Sequence, residues 1–345
     1  MDQSKNEEAK YGNIAPSFDM ERTCLADVLP LETPFTVILD ASELCNFKCG
    51  YCFRARRDKS AWGYAAENGM MSESIFKTAV SQLRQFPGEI RQISLSHHGE
   101  PLTNRKLPWM AGFIKDMGIK GRISIHTNGS LLTPGYAREL AEAGIDRVVV
   151  SLQGLSAERY REVCGYNIDY ESFYCNLQYF YNIKKNTQIY IKIIDTALDE
   201  GEEERFFELF APIADRVFIE KEVPIWKEKS FPESADPSEM AINKYGQEFA
   251  PQRVCPLIFH TLTVVPNGDI YPCTQLLQKE KLGNVRECSL SDAWNGNKRK
   301  EMLKEQCRLC LPEICLNCGI RQNSIYSRED MIDEARDTIL RRLEC

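Results

Sequence analysis

Cys45-Asn46-Phe47-Lys48-Cys49-Gly50-Tyr51-Cys52 sets three cysteines at spacings of three and then two intervening residues, and no further cysteine follows until Cys164. Such a trio offers three thiolates to one centre and leaves a fourth position for something that is not protein. A structural zinc site normally closes with four ligands, and no second Cys/His pair lies near this loop. A disulfide needs an oxidising compartment, and nothing in the chain supplies one. Three unrelated buried cysteines would behave as small hydrophobes, yet Asn46, Lys48 and Gly50 give the segment a polar, loop-like character. A [4Fe–4S] cluster held by three thiolates, its fourth iron open to an external ligand, fits the spacing best.

The rest of the composition agrees with a reduced, cytoplasmic setting. The chain opens Met1-Asp2-Gln3-Ser4-Lys5-Asn6-Glu7-Glu8, without the basic start or apolar stretch of a signal peptide, and no run is apolar and long enough to cross a bilayer. Fourteen cysteines in such a setting point to metal rather than to disulfides. A formal charge of -7 gives no basic footprint for nucleic acid. With 345 residues the chain has room for one barrel-sized core and a smaller module.

Working outward from the cysteine loop, strand and helix patterns alternate. Strands are predicted at Phe35 to Ala41, Ile90 to Ser96, Arg122 to Thr127, Arg147 to Leu152, Gln188 to Ile194 and Arg216 to Glu222. Amphipathic helices lie between them, such as Ser72 to Phe86 and Thr133 to Ala143, the latter opening with Thr133-Pro134 and closing at Gly144. This alternation predicts an α/β fold, a parallel sheet with helices on its outer face in a partial (β/α)6 barrel. The expected division is an N-terminal extension over 1–33, the barrel over 34–226, a polar linker over 227–254 and a cysteine-rich module over 255–345.

Polar segments fall just after the predicted strands. Cys45 to Cys52 follow the first, His97-His98-Gly99-Glu100-Pro101 the second and Asn128-Gly129 the third, while Ser151-Leu152-Gln153-Gly154 ends the fourth. Asn-Gly and Gly-Glu-Pro are common turn chemistry one at a time. Together they mark the rim at the carboxyl ends of parallel strands, where α/β barrels assemble active sites.

From about Pro34 to Cys318 the sequence resembles the radical S-adenosylmethionine enzymes, through the C-x3-C-x-aromatic-C signature at Cys45, Cys49, Tyr51 and Cys52 and the ordered strand-end motifs. The resemblance implies that the free iron chelates the methionyl part of S-adenosylmethionine. Reductive cleavage then gives a 5′-deoxyadenosyl radical that takes hydrogen from a substrate carbon. It also implies roles for single residues. Gly99, Glu100 and Pro101 look like the Gly-Gly-Glu-Pro motif that receives the methionyl amino group, with His98 in place of its first glycine. Tyr51 resembles the aromatic beside the adenine, and Asn128 and Ser151 the polar residues of the same pocket. Where many relatives place an arginine near the cofactor carboxylate, this chain has Cys164. Arg159 and Arg161 are the substitutes, and Cys164 is also readable as a helix-packing residue.

The C-terminal third carries a second pattern. His260 to Val265 and Asp269 to Tyr271 alternate in strand fashion around Pro266-Asn267-Gly268, a hairpin signal that brings Cys255 and Cys273 to one open end. Cys307, Cys310, Cys315 and Cys318 follow as two C-x2-C pairs. Alone they would suit a zinc knuckle. With Cys255 and Cys273 they resemble the SPASM or twitch extension of radical enzymes, which implies one or two auxiliary iron–sulfur clusters. One complete cluster is expected on Cys255, Cys273 and two of the later four; a second would need Cys345, at the end of a helix expected from Ser327 to Cys345 and opened by Ser327-Arg328-Glu329-Asp330.

An auxiliary cluster that accepts an electron from a substrate radical makes the net reaction an oxidation, for which Lys192, Glu220 or Glu222 would serve as base. Quenching by a thiol, with Cys164, Cys175 or Cys288 as donor, would give epimerisation instead. Fewer than forty residues precede the first predicted strand, where peptide-maturing relatives often carry a leader-binding domain. This favours a small polar substrate such as a sugar, aminosugar or cyclitol, with a ribosomal peptide as the alternative and a non-enzymatic iron–sulfur or zinc protein as the distant one. Expected partners are S-adenosylmethionine, the substrate, and a reductant such as flavodoxin or ferredoxin, with no nucleic acid and no membrane.

Overall fold

The computed structural model describes residues 10–17, 21–52, 69–223, 243–248, 252–275, 280–316, 318–323 and 328–344. Nine strands form one sheet: β1 (Thr36–Leu39), β2 (Gln92–Ser94), β3 (Arg122–Thr127), β4 (Arg147–Leu152), β5 (Gln188–Ile194), β6 (Arg216–Glu220), β7 (Thr261–Val264), β8 (Asp269–Tyr271) and β9 (Gly283–Asn284). Their order across the sheet is β6-β5-β4-β3-β2-β1-β7-β8-β9. The first six run parallel in sequential order and β6 does not pair with β1, which gives the open six-unit barrel that the alternation predicts.

Helices α1 (Glu73–Leu83), α2 (Leu107–Asp116), α3 (Pro134–Glu142), α4 (Ala157–Cys164), α5 (Tyr170–Ile183) and α6 (Glu203–Phe210) lie between the strands. Their starts follow from capping side chains. Ser72 accepts from the Ile75 amide, Thr133 from Tyr136, Ser156 from Arg159 and Asp169 from Ser172. The Val148-Val149-Val150 run of β4 is buried throughout, as a strand covered on both faces requires. Predicted ranges for β3, β4 and β5 coincide with the observed ones, whereas β1 and β2 are shorter at both ends and β6 at its end; the residues beyond β1 and β2 leave the ladder to build the rim. Asp40, one residue past β1, turns its carboxylate to the His97 and His98 amides.

The C-terminal module is joined to the barrel through the sheet itself. β7 pairs in parallel with β1, from Thr36 opposite Thr261 to Leu39 opposite Val264, and β8 and β9 continue antiparallel. Helices α7 (Leu290–Asn295), α8 (Asn297–Arg308) and α9 (Arg336–Glu344) complete it. The helix expected from Ser327 to Cys345 is shorter: its described part is a 3-10 turn at Arg328–Asp330 and then α9, with Ser327 and Cys345 outside the described residues. The break has a cause in Asp333, whose carboxylate accepts the Arg253 and Val254 amides at 2.9 and 2.8 Å and fixes that stretch as a loop.

A second, smaller core forms here, with Leu25, Leu29, Ile258, Phe259, Leu303 and Ile339 among its members. The N-terminal extension therefore contributes to it, while Ile14 bridges to Val217 on the β6 edge. Among the described residues no helix is long and apolar enough to cross a membrane.

Candidate active site

The cysteine loop after β1 is anchored on three sides. Lys48 and Gly50 donate backbone N–H groups to the Cys164 and Val163 carbonyls at the end of α4, at 2.9 and 3.0 Å. Phe47 is buried against the rings of Tyr160 and Tyr166. Asn46 donates to Ser130 Oγ at 2.8 Å and accepts from Asn128 Nδ2 at 3.0 Å, which ties the loop to the end of β3. Burial, and then the nearby Glu100, Cys49 and Cys52, push the Cys45 thiol up to about 11 against an opposing hydrogen bond from the Phe47 backbone. Three thiols and one carboxylate thus act on each other's charge in one place, a donor set that suits an iron–sulfur cluster and becomes thiolate on binding one. Among the described residues they do not already stand in ligand geometry, for Cys49 Sγ points instead to Gln153 Oε1 at 3.7 Å.

Glu100 is buried and takes three donors: Leu102 N and Thr127 Oγ1 reach Oε1 at 2.9 and 2.5 Å, and Asn128 N reaches Oε2 at 2.6 Å. Burial pushes its carboxyl up to about 7, and these three donors pull against the rise. An ionised carboxylate has about four acceptor sites, so Oε2 retains capacity for a cationic amine. Pro101 opens the 3-10 turn Pro101–Thr103 that this carboxylate caps. Gly99 is required by contact: a Cβ there would lie 2.4 Å from the Leu44 carbonyl and 2.5 Å from that of Ser42. The glycine lets the motif run against the start of the cysteine loop, and Glu100 N donates to Leu44 O at 2.7 Å.

Tyr51 donates its hydroxyl to Gln153 Oε1. Gln153 is buried, lies beyond β4 and also donates from Nε2 to the Ser151 carbonyl at 3.2 Å. It therefore links Cys49, Tyr51 and the end of β4, two residues beyond Ser151, which the resemblance assigns to the cofactor pocket. Its place in the Ser151-Leu152-Gln153-Gly154 segment is the only signal for it in the sequence.

His98, the departure from the glycine-glycine motif, has a structural answer. Its Nδ1 meets Asp40 Oδ2 at 2.6 Å and its Nε2 meets the Thr274 carbonyl at 2.9 Å, with both side chains almost wholly buried. Asp40 also accepts the His97 and His98 amides. The imidazole spans from the end of β1 to the residue after Cys273, a distance that a glycine would leave open.

Cys255, Cys273, Cys315 and Cys318 lie near enough for their charges to act on one another, although among the described residues they do not already stand in ligand geometry. Burial raises the thiols of Cys255, Cys315 and Cys318, to about 12 for Cys315 and about 11 for Cys318, and in each case Cys273 is the next cause. Cys318 adds to the rise at Cys255 and at Cys315. Gln306 donates to Cys315 Sγ at 3.6 Å and accepts the Cys255 amide at 3.3 Å, while the Gln275 amide points at Cys273 Sγ at 3.3 Å. Such donors orient and stabilise thiolates around a cluster. Cys307 is instead a core residue of α8, and the ionised groups around it are Asp337, Arg336 and Arg308. Cys310 is exposed with its thiol on the Arg308 carbonyl, and Cys345 lies outside the described residues.

A cavity of about 720 Å³ opens inside the barrel towards the starts of its strands, lined in part by Ser124, His126, Lys192, Lys244 and His260. Lys192 Nζ lies 2.8 Å from Glu220 Oε2, and Lys244 3.7 Å from Oε1. Burial alone would raise Glu220, but the two ammonium groups outweigh it and hold the carboxyl down at about 2, which makes Glu220 a counter-ion and a weak base. Burial lowers Lys192. Enclosure, and then the charges of Lys192 and Lys244, push His126 down to about 3; its side chain opens on the lumen, where water offsets part of the first cause. Arg159 is held by the Thr196 and Ala197 carbonyls and by Glu162, and Arg161 is exposed. Cys164 is buried in the main core with its thiol on the Tyr160 carbonyl at 2.9 Å. Cys175 is exposed, Cys288 sits by Asn284, and Glu222 accepts from Thr196.

An open parallel barrel with a three-cysteine loop on its rim, followed by a cysteine-bearing hairpin, defines a class of iron–sulfur enzymes. Residues 41–206 match the radical SAM superfamily model and residues 255–319 the SPASM iron–sulfur cluster-binding domain; the chain belongs to the radical SAM superfamily and carries a SPASM domain. A probable GTP 3′,8-cyclase of Methanococcus maripaludis is 40% identical over 134 residues, 38% of this chain and 41% of that protein, so the chain matches only about two fifths of such relatives. The tungsten-containing aldehyde ferredoxin oxidoreductase cofactor-modifying protein of Pyrococcus furiosus is 23% identical over 86% of this chain and 90% of its own. An S-adenosyl-L-methionine-dependent 2-deoxy-scyllo-inosamine dehydrogenase of Niallia circulans is 25% identical over 81% and 91%. The fold is shared with Streptococcus suis SuiB solved with its precursor peptide SuiA, at a TM-score of 0.59, 16% identity, and coverage of 96% of this chain and 87% of that one. It is likewise shared with anSMEcpe bound to AdoMet, at a TM-score of 0.59, 17% identity, and coverage of 90% and 96%.

Proposed function

We propose that the chain is a cytoplasmic radical SAM oxidoreductase acting on a small polar substrate held in the barrel lumen. The observation that carries this reading is the rim where the Cys45/Cys49/Cys52 loop is tied by hydrogen bonds to the buried Glu100 segment and the end of β3, beside a β7–β8 hairpin that pairs with β1 and is flanked by Cys255 and Cys273. Cys45, Cys49 and Cys52 would hold a [4Fe–4S] cluster able to supply the electron for cleavage of S-adenosylmethionine, and the C-terminal thiols one able to accept an electron from the substrate. Glu100, held by the backbone N–H of Asn128, would offer its remaining acceptor capacity to the methionyl end, Tyr51 and Gln153 would form the wall beside it, and Lys192 is the lumen-facing group whose lowered basicity suits proton transfer. The inosamine dehydrogenase relative, matched over most of both chains, supports a cyclitol-like or sugar substrate. The precursor peptide SuiA bound by Streptococcus suis SuiB, which shares the fold, keeps a ribosomal peptide as the second reading.

The test is anaerobic reconstitution with dithionite, or with flavodoxin or ferredoxin as reductant, followed by quantification of 5′-deoxyadenosine. Cleavage of S-adenosylmethionine that rises on addition of cyclitols or aminosugars supports the proposal. Cleavage stimulated by peptides alone would move the substrate to the second reading, and none under any condition would overturn the enzyme assignment.

A further inference from the structure

His98 stands where the motif that its segment resembles has glycine, and its ring reaches the backbone of the C-terminal cysteine set. The Thr274 carbonyl, 2.9 Å from Nε2, can only accept, so Nε2 carries a proton and donates it to this bond. That carbonyl and the Gln275 N–H are the two ends of one peptide unit, which is planar and holds them on opposite sides. The Gln275 N–H points at Cys273 Sγ, at 3.3 Å. A continuous line of hydrogen bonds therefore runs from the Asp40 carboxylate through His98 and the Thr274–Gln275 peptide to a cysteine sulfur.

Both ends of this line are fixed by the sheet. Asp40 directly follows β1, and its N–H donates to the Val264 carbonyl at 2.9 Å, which carries on the pairing of β1 with β7. Its carboxylate takes the His97 and His98 amides as well as Nδ1 at 2.6 Å, so the imidazole has little freedom to turn. Cys273 lies two residues past β8, and β8 pairs with the same β7. Asp40, His98, Thr274 and Gln275 are all buried, and away from bulk water hydrogen bonds in series polarise one another. Cys315 receives its donor, Gln306 Nε2 at 3.6 Å, from a helix of the module itself. The donor at Cys273 is instead governed by a side chain of the barrel.

We propose that His98 is a positioning residue: by holding the Thr274–Gln275 peptide it directs an N–H group onto the Cys273 thiolate and so raises the reduction potential of the auxiliary cluster that this thiolate would hold. Hydrogen bonds to the sulfurs are among the levers that set iron–sulfur potentials. A donated N–H eases the extra negative charge of the reduced cluster, so losing it lowers the potential. A substrate radical that becomes a carbonyl gives up one electron and one proton. The proton goes to a lumen base such as Lys192, and a higher potential makes the cluster a better acceptor of the electron. A glycine at position 98 has no side chain with which to place this donor. The inference rests on the proposed function in giving the C-terminal thiols a cluster that accepts an electron.

The test is a redox titration of the anaerobically reconstituted full chain, followed by electron paramagnetic resonance, with iron counted on the same samples. In His98→Phe the reduced-to-oxidised ratio of the auxiliary cluster at a fixed ambient potential should fall at least tenfold, 59 mV for a one-electron couple, while the Cys45/Cys49/Cys52 cluster keeps its potential. The double variant Asp40→Asn/His98→Phe, which leaves no carboxylate without its imidazole, should show the same fall. Electron–nuclear double resonance on the unaltered protein should show a proton coupled to the reduced auxiliary cluster that disappears after reconstitution in deuterium oxide, and the coupling should weaken in both variants. An auxiliary potential unmoved at full iron content would overturn the inference. A fall that the double variant restores would also overturn it, by assigning the effect to the bare Asp40 charge. Where neither variant folds or holds the cluster, the double-resonance measurement on the unaltered protein decides, since no exchangeable proton means no donor on the sulfur. About four irons per chain in place of about eight, by four-iron stoichiometry, would remove the auxiliary cluster of the proposed function itself, whereas about eight irons with an unmoved potential sinks this inference alone.

Discussion

The two thiol sets are gathered in opposite ways. Cys45, Cys49 and Cys52 belong to one loop that the chain completes within eight residues, whereas Cys255, Cys273, Cys315 and Cys318 meet only after the β7–β8 hairpin and the segment beyond α8 have folded together. The first set declares its members by spacing. The second declares six candidates, and tertiary contact gives them different surroundings: Cys255, Cys273, Cys315 and Cys318 act on one another's charge, Cys307 lies in the core and Cys310 is exposed. A local ligand motif is thus complete in the sequence, while a dispersed one is settled by packing.

The strongest way to break this comparison is to remove the local set. Changing Cys45, Cys49 and Cys52 together to alanine should abolish 5′-deoxyadenosine formation, and iron content should fall from about eight to about four per chain, by four-iron stoichiometry. Loss of all iron would mean that the two sets are not independent. A finer cut compares single alanines at Cys315 and Cys318 with those at Cys307 and Cys310. The first two should each lose the auxiliary signal in electron paramagnetic resonance, and the second two should keep it; the reverse result would assign the cluster to the wrong pair here.

The link between the sets can be cut at His98. His98→Gly restores the motif glycine but strips the buried Asp40 carboxylate of its imidazole partner, and should cost about 2–3 kcal/mol in urea unfolding. Because Thr274 is freed next to Cys273, the auxiliary resonance should broaden while the iron of the rim site is unchanged. An unaltered stability and spectrum would leave the two sets without this connection.

The mildest effect concerns the barrel lumen. Glu220 is held at about 2, below its ordinary 4.5, so the folded state binds its proton less readily than the unfolded one. Its stabilisation is present above about pH 4.5 and is lost as pH falls towards 2. Glu220→Gln should flatten that part of the acid unfolding curve, and an unchanged slope would show that Lys192 and Lys244 do not hold the carboxylate.

Much of the barrel is legible because hydrophobic periodicity is local: β3, β4 and β5 fall where the alternation puts them, and the hairpin follows its Pro266-Asn267-Gly268 turn. The residues that escape sequence reading depend on register across strands. Gln153, two residues beyond the expected Ser151, is one, because its contacts with Cys49 and Tyr51 exist only once the cysteine loop folds back over the end of β4. Glu220 reads as a base in sequence, and only its two ammonium neighbours reveal a counter-ion.

The parallel pairing of β1 with β7 also has a consequence for synthesis. Val37, Ile38 and Leu39 must wait for Thr261 to Val264 before one side of their strand is satisfied, and about 220 residues separate the two. At roughly 5–20 residues per second, the newborn chain shows an apolar strand edge for on the order of ten to forty seconds. That interval, rather than the finished protein, is when this molecule is most exposed to aggregation and most in need of a chaperone.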